Sequence, residues 1–150
     1  MKNIFDKTVS DEVIGRIHQL TTATGPVWGK MTVSQMLAHC NVTYEMVYEN
    51  IHKKPNFLMG FLMRSFIKNT VVNEKPYKKN SPTGPGFLIK NEKDFDNEKA
   101  RLIAYITRTQ QKGGADFHNK ESLSFGKLTT TEWNNMFYKH LHHHLTQFGV

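Results

Sequence analysis

One cysteine, Cys40, in 150 residues leaves the chain no internal disulfide. The fold must therefore stand on its own core, and a lone thiol fits a reducing compartment, with the cytoplasm as the expected location. Long apolar runs are missing as well. The greasiest stretch, Phe57 to Ile67, is interrupted by Gly60, Arg64 and Ser65 and is too short to span a bilayer, so it reads as a buried or interface helix. The opening residues, Met1-Lys2-Asn3-Ile4-Phe5-Asp6, turn polar before the apolar core of a signal peptide can form. Carboxylates are the scarcer charge, thirteen against twenty basic residues, for a formal net charge of +7. Such an excess can attract nucleic acid or an anionic substrate. The basic residues are scattered, however, with Lys53-Lys54, Lys75, Lys78-Lys79 and Lys90 in or beside a middle loop and no helix carrying an Arg/Lys stripe. That pattern describes a solvated surface and not a nucleic-acid groove. Several catalytic signatures are absent too. There is no His-Glu-x-x-His and no Gly-x-Ser-x-Gly, and Gly25-Pro26-Val27-Trp28-Gly29-Lys30-Met31 is one residue short of a phosphate loop, with Met31 where a hydroxyl should bind magnesium.

What the chain does have is helical period. Val13, Ile14, Ile17 and Leu20 predict a first helix from about Ser10 to Leu20. Thr32-Val33-Ser34-Gln35 has the form of a capping box and opens a second helix toward Asn50, with Val33, Met36, Leu37, Cys40, Tyr44 and Val47 as its apolar stripe. Between Lys53 and Glu92 the pattern degrades into a short apolar helix followed by Pro76, Pro82, Gly84, Pro85 and Gly86. A connection of this length is expected to border a pocket or pack across a surface. Asp94 opens a third long helix through about Gln111, with Gly113-Gly114 as its stop, and Thr129-Thr130-Thr131-Glu132 caps a fourth that ends at Gly149. No convincing run of alternating strand residues is found. One domain is expected, an all-α four-helix bundle with a long crossover between helices two and three. A five-residue echo, Trp28-Gly29-Lys30-Met31-Thr32 and Phe125-Gly126-Lys127-Leu128-Thr129, predicts that helices two and four enter that bundle in similar ways.

The last helix holds four histidines in five positions. At about 100° per residue, Trp133, Phe137, His140, Leu141, His144 and Phe148 share one side, so His140 and His144 lie inside the apolar stripe. His142 points the opposite way, and His143 lies at the border and is read as facing solvent, with an acid or base role near the rim as the alternative. Two imidazoles at i and i+4 can chelate one cation; the competing reading is two core histidines bonded to backbone or water. A purification tag does not fit, because Leu141 interrupts the histidines and ordinary helical sequence follows. His39, on the flank of helix two near Gln35 and Thr43, can face a neighbouring helix and supply a third nitrogen. Three neutral imidazoles with one open position form the arrangement of catalytic zinc. Glu45, Glu132 and Asn41 are the candidates for orienting the rings, and Cys40, about 100° round the helix from His39, reads as core packing.

These residues carry a resemblance. Met36-Leu37-Ala38-His39 in the second helix and His140-x-x-x-His144 in the last are similar to the DinB/YfiT-like superfamily of metalloenzymes. Trp28-Gly29-Lys30-Met31-Thr32, Asn80-Ser81-Pro82-Thr83, Phe125-Gly126-Lys127-Leu128-Thr129-x-x-Glu132-Trp133 and His143-His144-Leu145-x-Gln147-Phe148-Gly149 are similar to an uncharacterised bacterial branch of it. The resemblance implies a divalent metal, zinc or nickel, held by His39, His140 and His144. Through some members it also implies thiol S-transfer, in which a low-molecular-weight thiol such as bacillithiol, mycothiol or glutathione is joined to an electrophile. A metal-dependent hydrolase, or a bundle that binds metal or ligand without catalysis, are the alternatives. The expected partners are a small-molecule substrate and, through the Phe57 to Ile67 segment, a homodimer, with neither nucleic acid nor a membrane.

Overall fold

Thr32 and Thr129 each start a long helix, and in the computed structural model, which describes residues 1–150, both close complete capping boxes. Thr32 Oγ1 accepts from the Gln35 backbone N–H at 3.2 Å while Gln35 Oε1 accepts from the Thr32 N–H at 3.0 Å. Thr129 and Glu132 make the same pair of bonds at 3.2 and 2.9 Å. Each box satisfies two donors that a helix start otherwise leaves orphaned. The echo ahead of the caps extends into the backbone: Gly29 and Gly126 adopt φ of 87° and 74°, and the two threonines share φ −70° with ψ of 164° and 163°.

In chain order the elements are α1 (Lys7–Gln19), α2 (Val33–Tyr48), two short helices α3 (Phe57–Leu62) and α4 (Lys68–Val72) joined through a π-helical turn (Met63–Ile67), a 3-10 turn (Pro85–Phe87), α5 (Phe95–Asp116), a hairpin of β1 (Lys120–Ser122) and β2 (Gly126–Leu128), and α6 (Thr130–Gln147). The molecule is predominantly helical, as the periodicity predicts, and α1 and α2 each pack on both α5 and α6. The core lies where those four long helices meet. Tyr44 of α2 is sandwiched between Tyr105 of α5 and Phe137 of α6, with nearly parallel rings 5.7 and 4.9 Å away, and Trp133 and Phe117 pack around Phe137. Burying an apolar side chain of this size stabilises by roughly 1.5–3 kcal/mol. Met36, Leu37, Leu102, Ile106 and Leu141 fill the space around the stack.

Four departures from the sequence expectations have local causes. α1 starts a turn before Ser10, because the Asp6 carbonyl already accepts from the Val9 and Ser10 N–H groups at 3.1 and 3.0 Å. Gly113, expected as a stop, is a kink with φ 72° and ψ 165°, after which a helical turn resumes to Asp116. Gly114 then lies so close to α6 that a Cβ would stand 2.8 Å from Thr130 Cγ2. The reading without strands is corrected by the antiparallel hairpin, which pairs Lys120 with Leu128 and Ser122 with Gly126. Strands of three residues carry too little alternation to register as a pattern.

The fourth departure is in the crossover. Between Glu49 and Asp94 only Gly60 and Val72 are buried, so the Phe57 to Ile67 helix is not a core element and instead projects outward. Its base is fixed. Asn56 Oδ1 caps α3 by accepting from the Met59 N–H at 2.9 Å, and the buried Lys139 ammonium donates to the Thr70 and Asn73 carbonyls at 2.9 and 2.5 Å, closing the end of α4. No helix is long and apolar enough to cross a membrane.

Candidate metal centre

Because the Thr32 and Thr129 caps fix where α2 and α6 begin, they also fix which side of each helix a histidine seven, eleven or fifteen residues on will face. His39 of α2 and His140 and His144 of α6 meet in the interior. Ring centroids are 4.9 Å apart for His39 and His140, 4.5 Å for His39 and His144, and 4.8 Å for His140 and His144. One ligand atom from each ring lies within 4.8 Å of the other two. All three residues singled out from the sequence are thus brought together, with His39 and His144 buried and His140 retaining some exposed surface.

The outward nitrogens decide the state of the inward ones. His39 Nδ1 lies 2.9 Å from the Phe87 carbonyl. A carbonyl only accepts, so the neutral ring carries its proton on Nδ1 and presents a lone pair at Nε2. His144 Nδ1 lies 2.8 Å from Gln147 Oε1. The orientation of that amide is set by Gln147 Nε2, which donates to the Trp28 carbonyl at 2.8 Å, so His144 also donates from Nδ1 and keeps Nε2 free. His140 Nδ1 lies 3.1 Å from the Thr43 hydroxyl, which can donate or accept.

That hydroxyl matters because His39 Nε2 and His140 Nε2 stand 2.9 Å apart. With Thr43 donating, His140 holds its proton on Nε2 and bonds to His39. With Thr43 accepting, two lone pairs converge, and a cation between them relieves the repulsion. In a tetrahedral site, nitrogens that each stand about 2 Å from one cation lie about 3.3 Å apart. The 2.9 Å pair would open slightly and the widest separation of 4.8 Å would close by about 1.5 Å, and three neutral imidazole nitrogens are a donor set that suits a divalent ion.

Burial is the largest influence on the charge of all three rings. It holds His39 below the usual 6.5, against the opposing pull of the Phe87 carbonyl. It drives His140 well below that value with His144 and His39 adding to the effect, and His144 down to about 3, where His39 again adds. The fold thus keeps the three rings neutral near pH 7, the form in which an imidazole can bind metal.

The predicted neighbours divide. His142 faces outward as expected, stacked on Tyr138 at 5.6 Å with Nδ1 3.1 Å from Arg16. Cys40 is core packing, its Sγ 3.8 Å from Met36 Sδ, and burial pushes its thiol pKa up. His143 is half-buried and not simply solvent-facing, edge-on to Tyr77 at 5.6 Å, Trp28 at 5.9 Å and His144 at 5.0 Å. The three orienting candidates are corrected. Glu45 pairs with Arg101 and His52, Glu132 closes the Thr129 box and pairs with Lys68, and Asn41 donates to Glu98. The rings are instead oriented by Phe87, Thr43 and Gln147. Gln147 stands three residues beyond His144, one turn along the same face, and that spacing is a usable signal, whereas Thr43 reaches across to His140 on the neighbouring helix. Nothing in the sequence points to Phe87, whose contact depends on how the crossover folds back. Gly29 completes the set: with φ +87°, it lies where a Cβ would stand 2.5 Å from Gln147 Nε2.

A family model described as "Protein of unknown function (DUF1569)" matches residues 3–149. No curated protein and no solved structure matches the chain.

Proposed function

The chain belongs to the DUF1569 family, whose description assigns no reaction, and from its histidine cluster we propose a metal-dependent enzyme of the thiol S-transferase kind. In this reading the long helices form a four-helix bundle of the DinB/YfiT-like type. His39, His140 and His144 would hold one divalent cation, zinc or nickel, both of which suit imidazole, and that cation would activate a low-molecular-weight thiol. The observation that carries the reading is the set of outer hydrogen bonds, which leaves His39 Nε2 and His144 Nε2 as lone pairs at a shared centre.

A bound divalent cation supplies a thiolate near neutral pH without a separate base. That economy fits the surroundings, because the groups bonded to the three rings are a carbonyl, a hydroxyl and an amide, with no carboxylate among them. Phe87 adds an apolar wall, its ring 5.5 Å from His39 and 6.0 Å from His140, and excludes water beside the nucleophile. Thr43 lets His140 change tautomer by rotating its hydroxyl from donor to acceptor. The thiol would give up its proton to solvent, and its sulfur would bond to an electrophilic carbon as chloride departs, or as an epoxide C–O bond opens and the alkoxide oxygen takes a proton from water. Metal-dependent hydrolysis is the second reading. It would need a group that moves protons, and His143, edge-on to His144, is the candidate for that task in this second reading.

The test is a panel of thiols, each with a chlorinated or epoxide electrophile, given to protein stripped of metal and reloaded with zinc or nickel. Thiol and electrophile consumed one for one, above protein-free controls and lost in His144→Ala, is the expected result. Ester cleavage without thiol would move the assignment to the hydrolase. One tightly held metal per chain with no turnover of any substrate would overturn the enzyme reading in favour of a binding bundle.

A further inference from the structure

The crossover between α2 and α5 joins two properties that a monomer in water has reason to keep apart. Of the eleven residues from Phe57 to Ile67 only Gly60 is buried, and Phe57, Phe61 and Phe66 are 87%, 53% and 70% exposed. Exposed apolar patches of this kind mark interaction surfaces. The same crossover holds the charge imbalance of the whole chain. Residues 50–91 contain eight basic residues and a single carboxylate, Glu74, while the rest of the chain contains twelve of each, so the entire net charge of +7 resides here. Lys54 and Lys68 are paired with Glu121 and Glu132 at 2.8 and 2.9 Å. Lys53, just ahead of the apolar segment, and Arg64, within it, make no ion pair.

These two properties select the occupant. A second copy related by a two-fold axis would bury the phenylalanines but would set this cationic segment against itself. An anionic bilayer meets both needs: aromatic and aliphatic side chains enter the acyl boundary while ammonium and guanidinium groups stay at the headgroups. The segment is also mounted for the purpose, capped by Asn56 at one end and tied down by Lys139 at the other. No helix is long and apolar enough to cross the bilayer, so any contact with lipid would be at its surface. We propose that the Phe57–Ile67 segment, with Lys53 ahead of it and Arg64 within it, docks the protein on the surface of an anionic lipid bilayer.

The test is flotation of the full-length protein with phosphatidylcholine vesicles, with and without phosphatidylglycerol. Binding is expected only with the anionic lipid, and it should weaken as salt rises. Combined Phe57→Ser, Phe61→Ser and Phe66→Ser exchange, all at exposed positions, should abolish it with the helical circular dichroism unchanged. Lys53→Gln with Arg64→Gln should weaken it by about fivefold for each charge removed. Equal binding to both kinds of vesicle, or none to either, overturns the proposal. So does a concentration-dependent dimer in sedimentation that the triple exchange dissociates without any vesicle binding, since a second copy would then cover the face. Should a variant fail to fold, the salt titration on the unaltered protein still discriminates, because vesicle binding that does not weaken with salt overturns the proposal.

Discussion

Replacing Gln147 with methionine keeps the length of the side chain and removes both ends of a relay. Gln147 is buried, its Oε1 holds the His144 Nδ1–H at 2.8 Å, and its Nε2 holds the Trp28 carbonyl at 2.8 Å. Gln147→Met leaves a buried N–H without an acceptor, which costs about 1–3 kcal/mol. At roughly 2–4 °C per kcal/mol for a chain of this size, the Tm should fall by roughly 2–12 °C. The more diagnostic effect is on metal, because losing a group that orients a ligating histidine typically weakens binding by about 10–100-fold. Gln147→Glu keeps an acceptor for His144 and should hold metal far better than the methionine variant. Gly29→Ala reaches the same contact from the other side. Its Cβ would stand 2.5 Å from Gln147 Nε2 at φ +87°, and the left-handed backbone adds about 1–2 kcal/mol of strain. Since both changes act through one amide, their effects on metal affinity should not add. Competition with a chromophoric zinc chelator and thermal unfolding measure the two quantities separately. Zinc affinity equal to wild type in Gln147→Met, with only the Tm lowered, would refute the relay.

Acid should destabilise the metal-free protein. In the unfolded chain histidines titrate near 6.5, whereas burial holds His39 and His140 lower and His144 at about 3 in the folded one. The unfolded form thus binds more protons between those values, and stability is lost as pH falls below about 6.5, by at most about 1.4 kcal/mol per pH unit for each histidine. Urea unfolding in chelator at pH 7.5 and 5.5 checks this, and equal stabilities would contradict it. Thr43→Val removes the only hydroxyl at His140 Nδ1 and should weaken zinc binding by about tenfold or more, with Thr43→Ser restoring it in the same chelator assay. Gly114→Ala, whose Cβ would meet Thr130 at 2.8 Å and Phe5 at 3.3 Å, should lower stability by about 1–3 kcal/mol through overpacking while leaving metal content unchanged.

The helical elements are legible in the sequence wherever a repeating apolar stripe meets a capping signal. Thr32 and Thr129 announce themselves as caps, and the side of α6 that carries His140 and His144 follows from counting 100° steps from there. Gly113 reads as a break, but the turn that resumes beyond it brings Gly114 close to Phe5 and Thr130, a tertiary contact with no local signature. The hairpin is too short for its alternation to show. The histidine cluster is readable because His140 and His144 sit at helical spacing and His39 follows from the Thr32 cap, whereas the groups bonded to the rings are misassigned to Glu45, Glu132 and Asn41. Carboxylates and amides near a histidine in sequence attract that inference, but these three are held by Arg101, Lys68 and Glu98. The exposure of Phe57 to Ile67 is half legible, since an apolar run admits both a buried and an interface reading until its surroundings are known, and the structure excludes the buried one.

Metal content measured on protein purified without a nickel column tests the central claim most directly. One divalent ion per chain is predicted in the wild type, sharply reduced in His39→Ala, His140→Ala and His144→Ala and retained in His142→Ala, whose ring faces Arg16 and Tyr138. Equal loss in all four variants, or no divalent ion retained after exposure to zinc, would contradict the account.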